Sequence, residues 1–303
     1  MKKNTAALAF ALFLIIIQVS TSASETSSSK NTKKTALYFS LIPKKNVDQQ
    51  LSNLQPLLQL LEEKLNRPIK TIRPQSYQAV IEGILSQTID FAILGPASYA
   101  RARARDKRVD AFASFARKKG FITPQGSYYY AVLFTLKKRA FHSFEDLSGK
   151  KIAYTDPAST SGFLIPKLAF SKNLGCPLET FFGTSIFTGS HDRSIRAVVN
   201  GNVDAAFVSS ARVDEAVQKG TVLPGQIAIL WKSQPIHRDP LVFSAGVNEM
   251  VRNQIKKILL SSPPQIDQML NKMQLSGIVE VHNDDYQAIH DLITIQAQAE
   301  QEQ

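Results

Sequence analysis

The chain has a single cysteine, Cys176, so no disulfide can form within it. In an oxidising compartment its stability must come from packing. The five histidines are scattered, with no His-x-x-x-His pair and no second cysteine, and no metal or cofactor site is expected from them. No serine lies in a Gly-x-Ser-x-Gly nucleophile turn. His191 and Asp192 are adjacent in sequence, which does not place the carboxylate behind the imidazole as hydrolytic catalysis needs. A periplasmic hydrolase is therefore a remote reading, and the chain is expected not to be an enzyme. The longest apolar run, Ala6 to Val19, falls short of the ~20 residues that span a bilayer.

Acidic residues are also scarce, 25 against 36 Lys and Arg, for a formal charge of +11. A basic surface attracts anions and anionic membranes without specificity. Part of the excess is local, in Arg101, Arg103, Arg105, Lys107 and Arg108. No nucleic-acid motif with interleaved aromatics accompanies that run, so it reads as a solvated helix face and no nucleic-acid partner is expected.

Met1-Lys2-Lys3, the apolar run and Ser20-Thr21-Ser22-Ala23 have the layout of a secretory signal. The expectation is a leader over 1–23, cut after Ala23, with an uncleaved anchor as the alternative, and a disordered tether over 24–34. The remainder is long enough for two cores.

Along that remainder, Ala36 to Phe39 reads as a buried strand and Leu51 to Leu65 as a helix, with Pro56 near its start. Ile69 to Ile72, Tyr77 to Leu85 and Asp90 to Leu94 then give strand, helix, strand, stopped by Gly95-Pro96. The logic repeats in Lys151 to Tyr154, Ser161 to Asn173, His191 to Asn200 and Val203 to Val208. The class is α/β with mostly parallel sheets. Tyr128 to Leu136 carries the chain from one unit to the other, and Ile227 to Trp231 with Leu241 to Ala245 carries it back. The last stretch is helical in pattern, broken at Pro263-Pro264 and Gly277, and is expected to pack on the first unit. The picture is two lobes and two crossings: 35–127 with 238–303 as lobe 1, and 128–237 as lobe 2. A ligand would sit in the cleft, where strand ends and helix N-termini converge.

The most informative segment is Asp156-Pro157-Ala158-Ser159-Thr160-Ser161-Gly162, between a strand and an apolar helical run. Serine caps helices well, and a first helical turn leaves backbone N–H groups unpaired at its positive end. The segment reads as a cup for a small oxyanion. It contains no Lys or Arg, so neutral donors are expected to do the recognising. His191, after Gly189-Ser190, stands at a second helix start and can donate from one ring nitrogen; Asp192 can orient it, accept from a protonated ligand oxygen, or stabilise the first turn.

Four signatures in order carry a family likeness: Asp90-Phe91-Ala92-Ile93-Leu94-Gly95-Pro96-Ala97-Ser98-Tyr99, Asp146-Leu147-Ser148-Gly149-Lys150, the Ser159 segment, and Gly189-Ser190-His191-Asp192. Asn202-Val203-Asp204-Ala205-Ala206 follows. Together they resemble the periplasmic phosphonate/phosphite/phosphate-binding proteins of ABC transporters, over roughly 34–292. The resemblance implies the two-lobed type II binding-protein fold, a periplasmic location, and a small phosphorus oxyanion passed to a membrane permease with its ATPase. A sensor of the same fold, feeding a signalling receptor, is the alternative.

The same likeness implies ligand contacts for Ser159, Thr160, Ser161 and His191, with Tyr77 and Tyr129 as the two ligand-facing tyrosines. Asp239, in Ile236-His237-Arg238-Asp239-Pro240, matches an acid before a proline. Tyr99, after the Gly95-Pro96 stop, is a further candidate, more as a wall than a contact. Two departures matter. The acid thought to hold the ammonium of aminoalkylphosphonates is replaced by Ala211, with Asp214 the nearest carboxylate. Ala131 stands where many relatives carry Ser. Phosphite, phosphate or methylphosphonate is therefore expected over an aminoalkyl species, since a desolvated ammonium would lack a partner.

Overall fold

The computed structural model describes residues 36–301, and the expected leader and tether lie outside the described residues. The chain opens with β1 (Leu37–Leu41), α1 (Val47–Leu65), β2 (Ile69–Thr71), α2 (Tyr77–Leu85), β3 (Phe91–Ile93), α3 (Pro96–Arg105) and β4 (Asp110–Arg117). It crosses through β5 (Tyr128–Tyr129) into β6 (Ala131–Leu136) and β7 (Lys151–Tyr154). A helical stretch from Thr160 ends in α4 (Ser171–Leu174), followed by α5 (Leu178–Phe181), β8 (Thr184–Phe187), α6 (His191–Val199), β9 (Ala205–Ser209), α7 (Ser210–Gln218) and β10 (Ile227–Lys232). The return runs through β11 (Ile236–His237) to β12 (Pro240–Phe243), α8 (Glu249–Leu260), α9 (Asp267–Lys272), β13 (Leu275–Glu280) and α10 (Gln287–Gln301).

Two sheets result, one for each lobe of a type II binding-protein architecture. The first has the order β13-β4-β12-β3-β1-β2 and draws on both ends of the described chain; the second has the order β10-β6-β9-β7-β8. The two crossings pair with one another as an antiparallel ribbon, Tyr129 opposite Ile236 and Tyr128 opposite His237. Two strands joined side by side can flex together without shearing the sheets they connect.

Period-two alternation sorts the first sheet's side chains onto two faces. Phe39, Phe91, Phe112 and Phe243 pack against Leu54, Leu58 and Leu61 of α1. Ala92, Leu94 and Val242 face Val80 and Ile84 of α2 and Ala102 of α3. The second sheet repeats the scheme, with Val132, Phe134 and Val208 against Ile195 and Val198 of α6, and Ile152, Tyr154 and Phe207 against Phe170 and Phe182. Burying each large apolar side chain is worth about 1.5–3 kcal/mol, which suffices without a disulfide. Ala97, Ala100, Tyr129, Leu164 and Ile236 form a separate apolar cluster with Ile289 of α10, where the crossings meet both lobes.

Several elements differ from the reading of the sequence. Helix α1 begins four residues earlier than Leu51, capped by Asn46, whose side chain accepts from the Gln49 N–H at 2.9 Å. Pro56 therefore lies inside the helix, tolerated on its exposed face. The sheets are mixed: β2, β1 and β3 run parallel, but β12, β4 and β13 join antiparallel. The segment 275–280 is the strand β13 and not helix, because it completes the edge of β4; Gly277 sits at a register shift there and does not break a helix.

The helix expected over 161–173 starts at Thr160 and is π-helical over Thr160–Leu164 and Pro166–Phe170. Pro166 has no N–H to give the Gly162 carbonyl, as an α-helix would require. That carbonyl accepts instead from the Thr155 N–H at 3.2 Å, and the first bond of the stretch runs from Leu164 N–H to the Ser159 carbonyl, a five-residue step.

Candidate functional site

A cavity of about 360 Å³ opens between the two sheets. Lobe 1 contributes the ends of β1, β3 and β4, the starts of α1 and α2, and Asp239 before β12; lobe 2 contributes the Ser159 turn and the starts of α6 and α7. Strand ends and helix starts meet here because each strand hands its chain to a helix at this edge.

Ser159 caps the π-helical stretch, its Oγ accepting from the Gly162 N–H at 3.1 Å. A Cβ on Gly162 would lie 2.3 Å from Thr155 Oγ1 and 2.9 Å from Ser159 Oγ, so only glycine fits behind the turn. Thr160 Oγ1 accepts from the Ala97 N–H of α3 at 2.8 Å, joining the lobes. For both Ser159 and Thr160 a backbone N–H thus occupies the acceptor side of the hydroxyl and leaves its proton to be donated elsewhere. Ser159, Thr160 and Ser161 all line the cavity.

His191 lines it too, at 3% exposure, on the first turn of α6 behind the cap Ser190. Its Nδ1 receives the Ser209 backbone N–H at 3.3 Å, and Thr155 Oγ1 lies 3.0 Å away. A backbone N–H can only donate, so Nδ1 is an acceptor and the neutral ring carries its proton on Nε2. Burial, reinforced by Arg212 and Lys44, holds the imidazole well below its ordinary value. It is a neutral donor.

Tyr77 stands at the start of α2, behind the cap Ser76, at 1% exposure, and lines the cavity; its hydroxyl is buried and has no hydrogen-bond partner among the described residues. Burial, then the charge of Asp239, raises its pKa well above the phenol range, and the same two causes raise that of Tyr129. Tyr129 is buried in the cavity wall while Tyr128 is exposed, as strand alternation requires.

Asp239 also lines the cavity, but its carboxylate is taken by the Lys44 ammonium. Two candidates fall outside the lining. Asp192 turns to a smaller surface dent with Arg196, Glu215 and Lys219, since the first residue after His191 points a hundred degrees around the helix. Tyr99 is fully buried in the lobe 1 core, donating to Asn283 Oδ1 at 3.1 Å and set edge-on to Tyr286. It is structural. Asp214, the nearest acid to Ala211, is likewise engaged, accepting from the Ile122 N–H at 2.7 Å and the Thr123 N–H at 3.1 Å.

Sequence reasoning missed the cations. Lys44, Lys45, Arg117, Arg212, Lys219, Arg238 and Lys272 line the cavity against only Glu215 and Asp239, an excess of five positive charges. The Ser159 turn itself lacks a cation, but its surroundings do not, so neutral donors are only half of the site. Lys45 reaches Glu215 across the cleft at 2.6 Å, and the same carboxylate holds Arg212 and Lys219. Burial, followed by repulsion from Arg212 and Lys219, pushes the Lys45 ammonium down to about 7. Burial also lowers Lys44, Arg117 and Arg212, and brings Arg238 to about 10. The signal was present for the three arginines: Arg117 ends β4, Arg212 lies in the first turn of α7, and Arg238 flanks Asp239. Of the basic run, Arg105 pairs with Glu82 and Arg108 with Asp106 on the surface, as a solvated face would.

Residues 39–286 match the family model for the periplasmic substrate-binding protein of ABC phosphonate transporters. Over 201 residues the chain is 29% identical to the phosphate-import protein PhnD of Mycolicibacterium smegmatis, covering 64% of this chain and 62% of that one. Over 225 residues it is 28% identical to the phosphonates-binding periplasmic protein of Escherichia coli, covering 73% and 64%. The chain thus spans a little under two thirds of the length of these relatives. Its fold superposes on PhnD1 from Prochlorococcus marinus, solved in complex with methylphosphonate, with a TM-score of 0.75 at 19% identity, covering 85% of this chain and 97% of that one. The extent of the family match and the shared two-lobed fold lead to one conclusion: the chain belongs to the periplasmic substrate-binding proteins of ABC phosphonate transporters.

Proposed function

We propose that this protein captures a phosphorus oxyanion in the cleft and delivers it, lobes closed, to a membrane permease driven by an ATPase. The observation that carries the reading is the meeting of Ser159, Thr160, Ser161, His191, Tyr77 and Tyr129 on one cavity between the lobes. Each can turn a neutral O–H or N–H towards an anion, and such charge-assisted bonds contribute about 1.5–3 kcal/mol apiece before ordering costs. Three or four suffice for micromolar affinity.

The lobes divide as 35–127 with 238–303, and 128–237, hinged at the paired crossings. Export would use the leader, with cleavage after Ala23; among the described residues no helix is long and apolar enough to cross a membrane. Closure brings the two halves of the site together, so the anion shifts the open and closed populations, which is what a permease can read.

Anions without an ammonium are favoured: phosphite, phosphate or methylphosphonate over aminoethylphosphonate. Both carboxylates lining the cavity, Asp239 and Glu215, are already held by cations. Calorimetric titration of these four compounds into refolded, ligand-stripped protein tests the reading. Micromolar or tighter binding of at least one of the three favoured anions, weakened by Ser159→Ala, supports it. Silence towards all four refutes it, and tight aminoethylphosphonate binding refutes the ranking.

A further inference from the structure

The charge in the cleft exceeds what a phosphite or methylphosphonate dianion can neutralise, and the excess is not spread evenly. Three of the cations are guanidinia, Arg117 at the end of β4, Arg212 in the first turn of α7 and Arg238 beside Asp239. Arg117 depresses the pKa of Arg212, and both depress that of Arg238. Arg212 is held by Glu215. Arg117 is 4% exposed, its Nη1 makes only a long 3.5 Å bond to the Ala211 carbonyl, and its Nε has no hydrogen-bond partner. The Nε of Arg238 is buried without a partner as well. Among the described residues neither Arg117 nor Arg238 forms an ion pair within 4.0 Å.

Arg117 feels the charge of Asp214 and Arg238 that of Asp239, but neither carboxylate pairs with its guanidinium directly, and burying two guanidinia so thinly compensated is costly. A planar fork of N–H donors is the group that grips carboxylate or phosphate oxygens bidentately. Space agrees with charge. A 360 Å³ cavity is larger than a phosphite or methylphosphonate ion needs.

We propose that Arg117, Arg212 and Arg238 form a second anion subsite, and that the cleft takes a phosphonate or phosphate monoester whose organic arm ends in a second anionic group. This rests on the reading of the Ser159 turn as the phosphoryl site and names the class of substrate that fills the rest of the cleft. Arg117 and Arg238 come from lobe 1 and Arg212 from lobe 2, so the second anionic group bridges the lobes as the phosphoryl group does. The carboxylate of such a ligand forms no covalent bond and needs no proton transfer; it supplies the counter-charge that the cavity lacks.

The test is calorimetric titration of the refolded protein with methylphosphonate, phosphonoacetate and methylenebisphosphonate, the last two separating a carboxylate from a second phosphonate as the distal group. At least one of the two-headed anions is expected to bind at least about tenfold more tightly than methylphosphonate. Arg117→Gln, and separately Arg238→Gln, should cut that ratio by about tenfold, with a cooperative melt confirming that each variant folds. Methylphosphonate binding as tightly as both two-headed anions overturns the second subsite while leaving the phosphoryl site standing. A ratio untouched by both folded variants also overturns it. If neither variant folds, the ratio measured on the unaltered protein decides. Absence of binding by all three compounds overturns the subsite and the phosphoryl reading together.

Discussion

Lys45 and Glu215 face each other across the cleft, Nζ to Oε1 at 2.6 Å, and the same carboxylate also holds Arg212 and Lys219. One acid therefore pairs with cations from both sides of the cleft. Glu215→Gln removes that charge and leaves three cations to repel one another. The expected outcome is a larger radius of gyration for the empty variant in small-angle scattering, reversed by saturating anion. An unchanged radius in the empty variant would show that the pair does not hold the lobes.

The lowered pKa of Lys45 gives binding a pH dependence with a definite sign. In the empty protein the ammonium loses its proton at about 7, well below the ordinary 10.5, and a bound anion pulls the value back up. At pH 8 binding should therefore take up protons, and affinity should fall as pH rises from about 7 towards 10. Titration in two buffers of different ionisation enthalpy measures the uptake directly; equal apparent enthalpies in both would contradict it.

His191 makes the opposite kind of statement about stability. Its folded pKa lies below the unfolded 6.5, so the stability linked to its neutral form is full above pH 6.5 and is lost as pH falls towards the folded value. Its ring resonances should not titrate between pH 8 and 6.5 in the empty protein. Addition of the anion should raise the pKa, and His191→Ala should weaken anion binding by about tenfold or more.

Gly162 is required by space. The methyl of Gly162→Ala would fall 2.4 Å from Thr155 Cβ as well as on its hydroxyl, and Thr155 is the residue that engages His191 Nδ1. Overpacking of this kind costs about 1–3 kcal/mol. The variant should melt lower and bind anion more weakly, through both halves of the site at once. A melt within error of the unaltered protein would contradict the close packing.

Ser159→Ala removes a cap and a donor together. Losing the cap bond to Gly162 costs about 1 kcal/mol of stability. Losing the donor should cost about tenfold or more in affinity, and the two effects separate when melting is compared with and without ligand.

Much of this molecule was legible in its residues, and the gaps have physical causes. The Ser159 turn could be read because capping chemistry is local: three hydroxyl residues and a glycine after a strand allow few alternatives. The lobes could be read because buried strands such as Ala205–Ser209 are short apolar runs between turns. Strand β13 was missed because its edge position makes it half-exposed, and its alternation is broken by the bulge at Gly277. The π-helical start was missed because it depends on which carbonyl Pro166 leaves free, a tertiary matter settled by Thr155. The guanidinia were missed because Arg117, Arg212 and Arg238 lie on three separate elements and meet only after the chain has crossed and returned.

The central claim is that the Ser159 turn holds the phosphoryl oxygens, and a crystal structure of the refolded protein with methylphosphonate tests it most directly. The expected result places the phosphonate oxygens within hydrogen-bonding distance of the hydroxyls of Ser159, Thr160 and Ser161 and of His191 Nε2. A phosphonate seated instead among Arg117, Arg212 and Arg238, with the Ser159 turn untouched, would contradict it.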